Sequence, residues 1–193
     1  MSRQFEMVVI GGSAGAIDVL GRLFKQLSAR FVPAVAIVIH LPPEGPNVLH
    51  EILASPGSPP MKLAEDKEPI APGTIYFAPP DYHLLVESGR TFALSQDDRV
   101  HYSRPAIDVL FESAAEAYGD RLMGIVLSGA NADGARGLRA VADAGGMAVV
   151  QAIESADMIA MPAAALEAVP GSIEVNVAAL ADLLRTHGEM NDR

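Results

Sequence analysis

No cysteine and no tryptophan occur among the 193 residues, and the aromatic side chains are limited to four tyrosines and six phenylalanines. The missing cysteines exclude disulfide bonds, thiolate metal sites and a cysteine nucleophile. Basic residues are also scarce, because 14 lysines and arginines face 24 aspartates and glutamates, for a formal net charge of −10. This balance argues against a nucleic-acid-binding protein and against a protein that docks on an anionic membrane surface.

Long apolar segments are missing as well. No stretch approaches the ~20 apolar residues of a membrane-spanning helix, and the N-terminal residues lack the apolar core of a signal peptide. Half of the residues are nevertheless hydrophobic, which is enough for a sizeable globular core. The sequence therefore predicts a single cytoplasmic domain over residues 1–193 that does not insert into a membrane.

The hydrophobic pattern alternates between two kinds of segment. Short apolar runs without polar alternation are typical of parallel strands that are covered on both faces, and they are found at 7–10, 35–39, 75–78, 123–128 and 147–150. Helical spacing of apolar residues between them predicts helices near 17–27, 46–54, 106–118, 138–142, 162–168 and 176–187. Residues 83–94 indicate a β-hairpin insert. The pattern therefore favours an α/β domain with a mostly parallel sheet flanked by helices.

Three reactive side chains follow predicted strands. Ser13, His40 and Asp133 each come just after an apolar run, and the carboxyl ends of parallel strands share one edge of a sheet. A serine nucleophile needs a histidine to take its proton, and that histidine needs a carboxylate to orient it. Each residue alone has a simpler explanation: the serine and the aspartate as helix caps, the histidine as a strand-end residue held by backbone groups.

The turn around Ser13 carries a further signal. Residues 11–15 match the pattern G-x-S-x-G between a strand and a helix, and the amide of Ala14 is a candidate oxyanion donor. Glycine-rich turns after a first strand also bind phosphates or dinucleotides, but here the third glycine of G-x-G-x-x-G is missing. The acidic ribose ligand expected at the end of the second strand is replaced by His40. A nucleotide- or phosphate-binding α/β domain stays a competing hypothesis.

Five blocks in order along nearly the whole chain resemble the catalytic domain of the chemotaxis receptor methylesterases, the CheB family. They are VVIGGSAGAIDVL at 8–20, VIHLPP at 38–43, IYFAPPDYHLLV at 75–86, SRPAIDVLFESAA at 103–115 and GIVLSGANADGARGLRAVADAGG at 124–146. The resemblance implies a doubly wound, mostly parallel α/β fold and a catalytic triad of Ser13, His40 and Asp133. It further implies removal of methyl esters from glutamates, and for many members deamidation of glutamines, on receptor signalling helices.

The chain also departs from the family pattern. Ala130 stands where a methionine is usual. If only the backbone amide at this position assists the oxyanion, alanine is tolerated; if the side chain shapes the pocket, a different substrate preference is expected. The family's usual N-terminal receiver domain is absent from residues 1–193, so the expected partners are methylated chemoreceptor helices and a receiver domain or other regulator on another chain. No cofactor and no metal are expected. A catalytically silent module that docks on a receptor or signalling partner is the alternative function.

Further expectations concern the surroundings of the site. Arg104 is predicted to bind substrate, with a structural ion pair as the alternative. The site is expected to be an exposed cleft with a rim at Pro42, Pro43, Pro79, Pro80 and the loop at 158–161. Asp108, Glu112 and Glu116 follow each other at helical spacing and are interpreted as a solvated acidic face.

Overall fold

The computed structural model of the protein describes residues 4–41 and 48–189. A seven-stranded sheet with the order β3-β4-β2-β1-β7-β8-β9 forms its centre, and all the pairings between these strands are parallel. The strands are β1 (Met7–Gly12), β2 (Ala34–Ile39), β3 (Met61–Leu63), β4 (Ile75–Phe77), β7 (Leu122–Val126), β8 (Met147–Gln151) and β9 (Ile173–Val175). A separate antiparallel hairpin consists of β5 (His83–Val86) and β6 (Phe92–Ser95).

Helices cover both faces of this sheet. They are α1 (Ala16–Phe24), α2 (Leu49–Leu53), α3 (Ile107–Tyr118), α4 (Ala135–Asp143), α5 (Ala160–Ala168) and α6 (Val177–Gly188). One hydrophobic core contains buried residues of α1, α2 and α6, and the other contains those of α3, α4, α5 and the hairpin. Successive residues of β1 alternate between the two cores, as the two-residue period of a strand requires. None of the described helices is long and apolar enough to cross a membrane.

The strand order confirms the predicted doubly wound α/β fold with a hairpin insert. The chain builds the sheet outward from β1 through β2 in one direction, and later through β7 in the other. A crevice forms at such a switch point, outside the carboxyl ends of the strands. The turns that follow β1, β2 and β7 therefore converge at the centre of one edge.

Two strands at the borders of the sheet were not predicted. β3 and β9 have three residues each and are not fully buried, so neither produces the continuous apolar run that marks the inner strands. The predicted helix at 46–54 is present over Leu49–Leu53, and its first two positions lie outside the described residues.

Candidate active site

Ser13 follows β1 directly and is partly exposed. Its backbone N–H donates to the carbonyl oxygen of Ser128 at 2.9 Å, which ties the turn after β1 to the end of β7. Gly15 closes the turn with φ of +83°, and a Cβ there would lie 2.7 Å from an Asp157 carboxylate oxygen. Glycine is therefore required at this position both by its backbone conformation and by the close contact.

His40 lies beside Ser13 because of the register between β1 and β2. Gly12 pairs with Ile39, and the His40 N–H donates to the Gly12 carbonyl at 3.1 Å. Neighbouring strands run ~4.8 Å apart, so the backbones of Ser13 and His40 are adjacent. The His40 side chain is only 11% exposed, and its Nε2 donates to Asp133 Oδ2 at 2.8 Å.

Asp133 is fully buried and accepts two further hydrogen bonds. The backbone N–H groups of Ile107 and Asp108, in the first turn of α3, donate to its two carboxylate oxygens at 2.7 and 2.9 Å. Burial pushes the pKa of Asp133 upward, but the hydrogen bonds from His40, Asp108 and Ile107 outweigh burial and hold the pKa below its ordinary value. Asp133 is therefore an ionised carboxylate that fixes the orientation of His40.

Asp108 caps a helix in turn: Asp133 accepts hydrogen bonds from the start of α3, and Asp108 in α3 accepts hydrogen bonds from the start of α4. It is fully buried, and its Oδ1 accepts from the N–H groups of Gly134 and Gly137 at the start of α4, at 3.0 and 2.7 Å. Its Oδ2 accepts from His101 Nε2 at 3.1 Å. The interpretation of Asp108 as part of a solvated acidic face was wrong, because the residue caps a neighbouring helix instead of facing water.

The structure brings His40 and Asp133 into direct contact and places Ser13 next to them. In the described part of the chain no hydrogen bond joins the Ser13 hydroxyl to the His40 ring. Because Asp133 engages Nε2, the nitrogen left to act as a base toward Ser13 is Nδ1. Catalytic roles for the three residues remain a prediction.

The predicted oxyanion donors, Ala14 and Ala130, are both exposed residues that follow β1 and β7 at this edge of the sheet, and their role as donors stays a prediction. Ser128, which the sequence reasoning missed, holds their loops together. Its buried hydroxyl donates to the Ala14 carbonyl at 2.7 Å and accepts from the Met158 N–H at 2.9 Å. A polar residue at the end of an apolar strand was the available signal.

Arg104 is mostly engaged within the protein. Its guanidinium donates twice to an Asp81 carboxylate oxygen, at 2.8 and 3.2 Å, and to the carbonyl oxygens of Gln96 and Asp97 at 2.8 and 3.0 Å. The bonds to Asp81 form a structural ion pair, which is the alternative to substrate binding. Arg104 also lines the cleft beside His40, so its predicted contact with substrate stays a prediction.

The cleft beside His40 has a volume of about 160 Å³. Its lining consists of Ile39, His40, Leu41, Ala78, Pro80, Asp81, Arg99, Tyr102, Ser103, Arg104 and Pro105. Of the predicted rim, Pro80 lines this cleft, Met158 and Ile159 are exposed, and Pro42 and Pro43 lie outside the described residues. The prediction for Met161 was wrong: it is fully buried and packs where a Gly129 side chain would lie.

Within the described ranges, one group of side chains is arranged so that it could contact a metal ion. The ligand atoms of His101, Asp108 and Asp133 lie within 4.8 Å of one another. Both carboxylates already accept backbone N–H groups, and the Arg136 guanidinium lies 3.8 Å from Asp108. The capping bonds and the positive charge of Arg136 offset the negative charge of this cluster, so the cluster does not require a metal ion.

Comparison with known proteins identifies this architecture. The family model described as CheB methylesterase matches residues 8–184. The chain belongs to the CheB methylesterase family. A Leptospira interrogans protein, named as a candidate protein-glutamate methylesterase/protein-glutamine glutaminase, is 41% identical over 179 residues, which are 93% of this chain and 93% of the relative.

Other CheB relatives are longer than this chain. The protein-glutamate methylesterase/protein-glutamine glutaminase 1 of Rhodospirillum rubrum is 35% identical over 82% of this chain and 42% of the relative. The crystal structure of the Thermotoga maritima CheB methylesterase catalytic domain superposes with a TM-score of 0.88, at 29% identity, over 94% of this chain and 97% of that domain. The chain thus matches a catalytic domain almost completely and less than half of that longer relative.

Proposed function

We propose that this CheB-family chain is a serine hydrolase that removes methyl esters from glutamate side chains and deamidates glutamines through the same site. The observation that carries the proposal is the 2.8 Å bond from His40 Nε2 to the buried Asp133 carboxylate, one strand away from Ser13. The relatives' names supply the two reactions. Both reactions attack an acyl carbon at the end of a glutamyl-type side chain.

In the first half-reaction, the Ser13 hydroxyl oxygen attacks the ester carbonyl carbon while its proton passes to His40 Nδ1. The carbonyl oxygen becomes an oxyanion, which the N–H groups of Ala14 and Ala130 stabilise. Collapse of this intermediate breaks the bond to the methoxy group, which takes the proton from His40 and leaves as methanol. The product is a glutamyl ester of Ser13.

In the second half-reaction, water is the nucleophile and the Ser13 oxygen is the leaving group. His40 Nδ1 takes a proton from the water, the resulting hydroxide attacks the acyl carbon, and the proton returns to the Ser13 oxygen as it leaves. The product is a free glutamate. With glutamine as substrate, ammonia leaves in the first half-reaction in place of methanol, and the second half-reaction is identical.

Asp133 contributes throughout without changing its own protonation. As an ionised carboxylate with a lowered pKa, it accepts from Nε2–H, selects the tautomer with Nδ1 free, and stabilises the imidazolium that forms in each half-reaction. The capping bonds to α3 hold the carboxylate in place while His40 changes its charge.

The proposed substrates are methylated signalling helices of cytoplasmic chemoreceptor domains, with Arg104 as a contact at the cleft. A net charge of −10 gives no long-range attraction toward an acidic receptor, so binding depends on local contacts. We also propose a cytoplasmic location, and a receiver domain or other regulator as a further partner.

Methanol release from receptor fragments that carry glutamyl methyl esters tests this function. The parent chain should release methanol in proportion to the ester content, and Ser13→Ala should release none above the uncatalysed rate. Ser172→Ala is the matched control, because the Ser172 hydroxyl is buried without a partner among the described atoms and lies before β9 at the opposite edge of the sheet. The control should retain parental turnover.

Two results would contradict the proposal. A parent chain that releases no methanol above the uncatalysed rate would show that the protein is not a methylesterase. A Ser13→Ala variant that turns over at the parental rate would show that another group is the nucleophile.

A further inference from the structure

Tyr102 stands out from the other apolar and aromatic side chains at the surface. It is 95% exposed, whereas the next most exposed large hydrophobic residue among those described, Ile52, is 69% exposed. Single exposed apolar residues are common in soluble proteins. Exposure alone therefore does not assign a role, but the backbone beneath Tyr102 adds a second observation.

His101 and Tyr102 form the centre of a two-residue turn in an unfavourable conformation. Their φ angles are +49° and +63°, and they are the one adjacent pair among the five described non-glycine residues with positive φ. Val100 and Ser103 close the turn by exchanging two backbone hydrogen bonds, of 3.1 and 2.9 Å. Turns of this kind favour asparagine and glycine, and a bulky aromatic residue with positive φ is an outlier.

The turn is fastened to the interior on both sides. His101 Nε2 donates to the buried Asp108 at 3.1 Å, and Arg104 is bonded to Asp81, Gln96 and Asp97. The fold therefore maintains a strained turn whose central ring gains almost no packing within the chain. Strain that the surrounding structure maintains is typical of functional positions.

The ring is also next to the candidate active site. Tyr102 lines the same cleft as His40, which follows β2. The exposed Met158 and Ile159 lie on the opposite side of Ser13, where Met158 bonds Ser128 and Gly129 after β7. These exposed groups are therefore candidates to contact the surface of a helix that presents its glutamyl ester to Ser13. The backbone of Tyr102 is already fixed by the turn, and a tyrosine side chain has only two torsions to order, so its ring loses little conformational entropy when it binds such a surface.

We propose that Tyr102 is a substrate-recognition residue, whose ring packs on the helical protein substrate as its ester enters the cleft beside His40. This inference rests on the proposed methylesterase function. It assigns to the turn at 100–103 the choice between a helical protein and a small ester as substrate. Tyr102 takes no part in bond making or bond breaking.

The test compares two substrates and one stability measurement. The specificity ratio is kcat/KM for a methylated receptor fragment divided by kcat/KM for a small soluble methyl ester. Tyr102→Gly should lower this ratio about tenfold, mainly through KM for the fragment. The melting temperature should be no lower than that of the parent, because glycine adopts a positive φ without strain. Tyr102→Phe should restore the ratio, and Ile52→Ala, an exposed apolar residue on α2, should leave it at the parental value.

The outcomes separate the two proposals. An active parent with an unchanged ratio in Tyr102→Gly would overturn the role of Tyr102 and leave the methylesterase function intact. A lowered melting temperature together with a lowered ratio would make the ring structural and would also overturn the role. A parent that releases no methanol would overturn the proposed function, and the inference about Tyr102 with it.

Discussion

Asp133 and Asp108 are two buried carboxylates with nearly the same surroundings. Asp133 accepts two backbone N–H groups at the start of α3, the helix that contains Asp108. Asp108 accepts two at the start of α4, the helix that follows Asp133. Each carboxylate also accepts from the Nε2 of one histidine. They differ in what lies next to that histidine. His40 is 11% exposed and follows the strand beside Ser13, whereas His101 belongs to the exposed turn of Tyr102.

The two aspartates share a structural role, and only one of them is placed for a catalytic role. An aspartate paired with a histidine serves in both places as a helix cap, because a buried carboxylate needs hydrogen bonds and is further stabilised by the positive end of a helix dipole. The pair becomes a candidate for catalysis only where the strand register brings a serine to it. Variants matched between the two aspartates should therefore affect stability alike and activity very differently.

The largest expected difference is in turnover. Asp133→Asn should lower kcat/KM for a methyl ester by about 10³–10⁴-fold, because the amide no longer selects the tautomer or stabilises the imidazolium of His40. Asp108→Asn should stay within about threefold of the parent, because the Asp108 carboxylate bonds neither Ser13 nor His40. Steady-state methanol release measures both. Equal losses in the two variants would mean that the caps, and not the position beside Ser13, determine activity.

The next largest effect is on stability, and here the two aspartates should behave alike. Asp133→Ala and Asp108→Ala each leave two buried backbone N–H groups without an acceptor, so each should lower the free energy of unfolding by about 2–4 kcal/mol. Urea denaturation checks this, with Glu116→Ala on the exposed face of α3 expected within about 0.5 kcal/mol of the parent. Asp108→Ala at the level of this control would show that the reciprocal caps contribute nothing.

Disturbing the close contact between α3 and α4 should lower the free energy of unfolding somewhat less than removing either carboxylate. A Cβ on Gly137 would lie 2.6 Å from the Phe111 Cβ and 3.0 Å from the Asp108 Cα, so Gly137→Ala must push the two helices apart. We expect a loss of about 1–3 kcal/mol in the free energy of unfolding. Gly171→Ala, where nothing lies within 4 Å, should change it by less than about 0.5 kcal/mol. If both variants unfold at the same urea concentration, the packing between α3 and α4 is looser than described.

The smallest expected effect is in the acid dependence of stability. The pKa of Asp133 is lower in the folded chain than its ordinary value of 3.8, so ionised Asp133 stabilises the fold. That contribution is complete above the unfolded-state pKa and is lost as the pH falls through the folded-state pKa. The gap in unfolding free energy between the parent and Asp133→Asn should therefore be constant at neutral pH and should narrow below about pH 4. A gap that widens on acidification would contradict the lowered pKa.

Much of this arrangement could be predicted from the sequence, because each inner strand is an unbroken apolar run and each candidate residue follows one. Because Ser13, His40 and Asp133 each follow such a run, the sequence alone predicts that all three lie on one edge of the sheet. The hairpin was equally clear, since Ser88 and Gly89 form a short turn between two mainly apolar segments.

Other features depend on contacts that no local pattern records. Asp108 has the spacing of a solvated helix face, but the glycines at 134 and 137 let α4 approach closely enough to bury it. Met161 follows an exposed loop and turns inward onto Gly129. β9 contains Glu174 between two apolar residues and owes its position to pairing with β8, so three residues were too few to indicate a strand.

The central claim is that His40 and Asp133 activate Ser13 as the nucleophile. Treatment with a serine-directed fluorophosphonate, followed by peptide mass mapping, tests this most directly. We expect one adduct, located on Ser13, which is absent in Ser13→Ala and forms orders of magnitude more slowly in His40→Gln. An adduct at another serine, or labelling of Ser13 at the parental rate in His40→Gln, would contradict it.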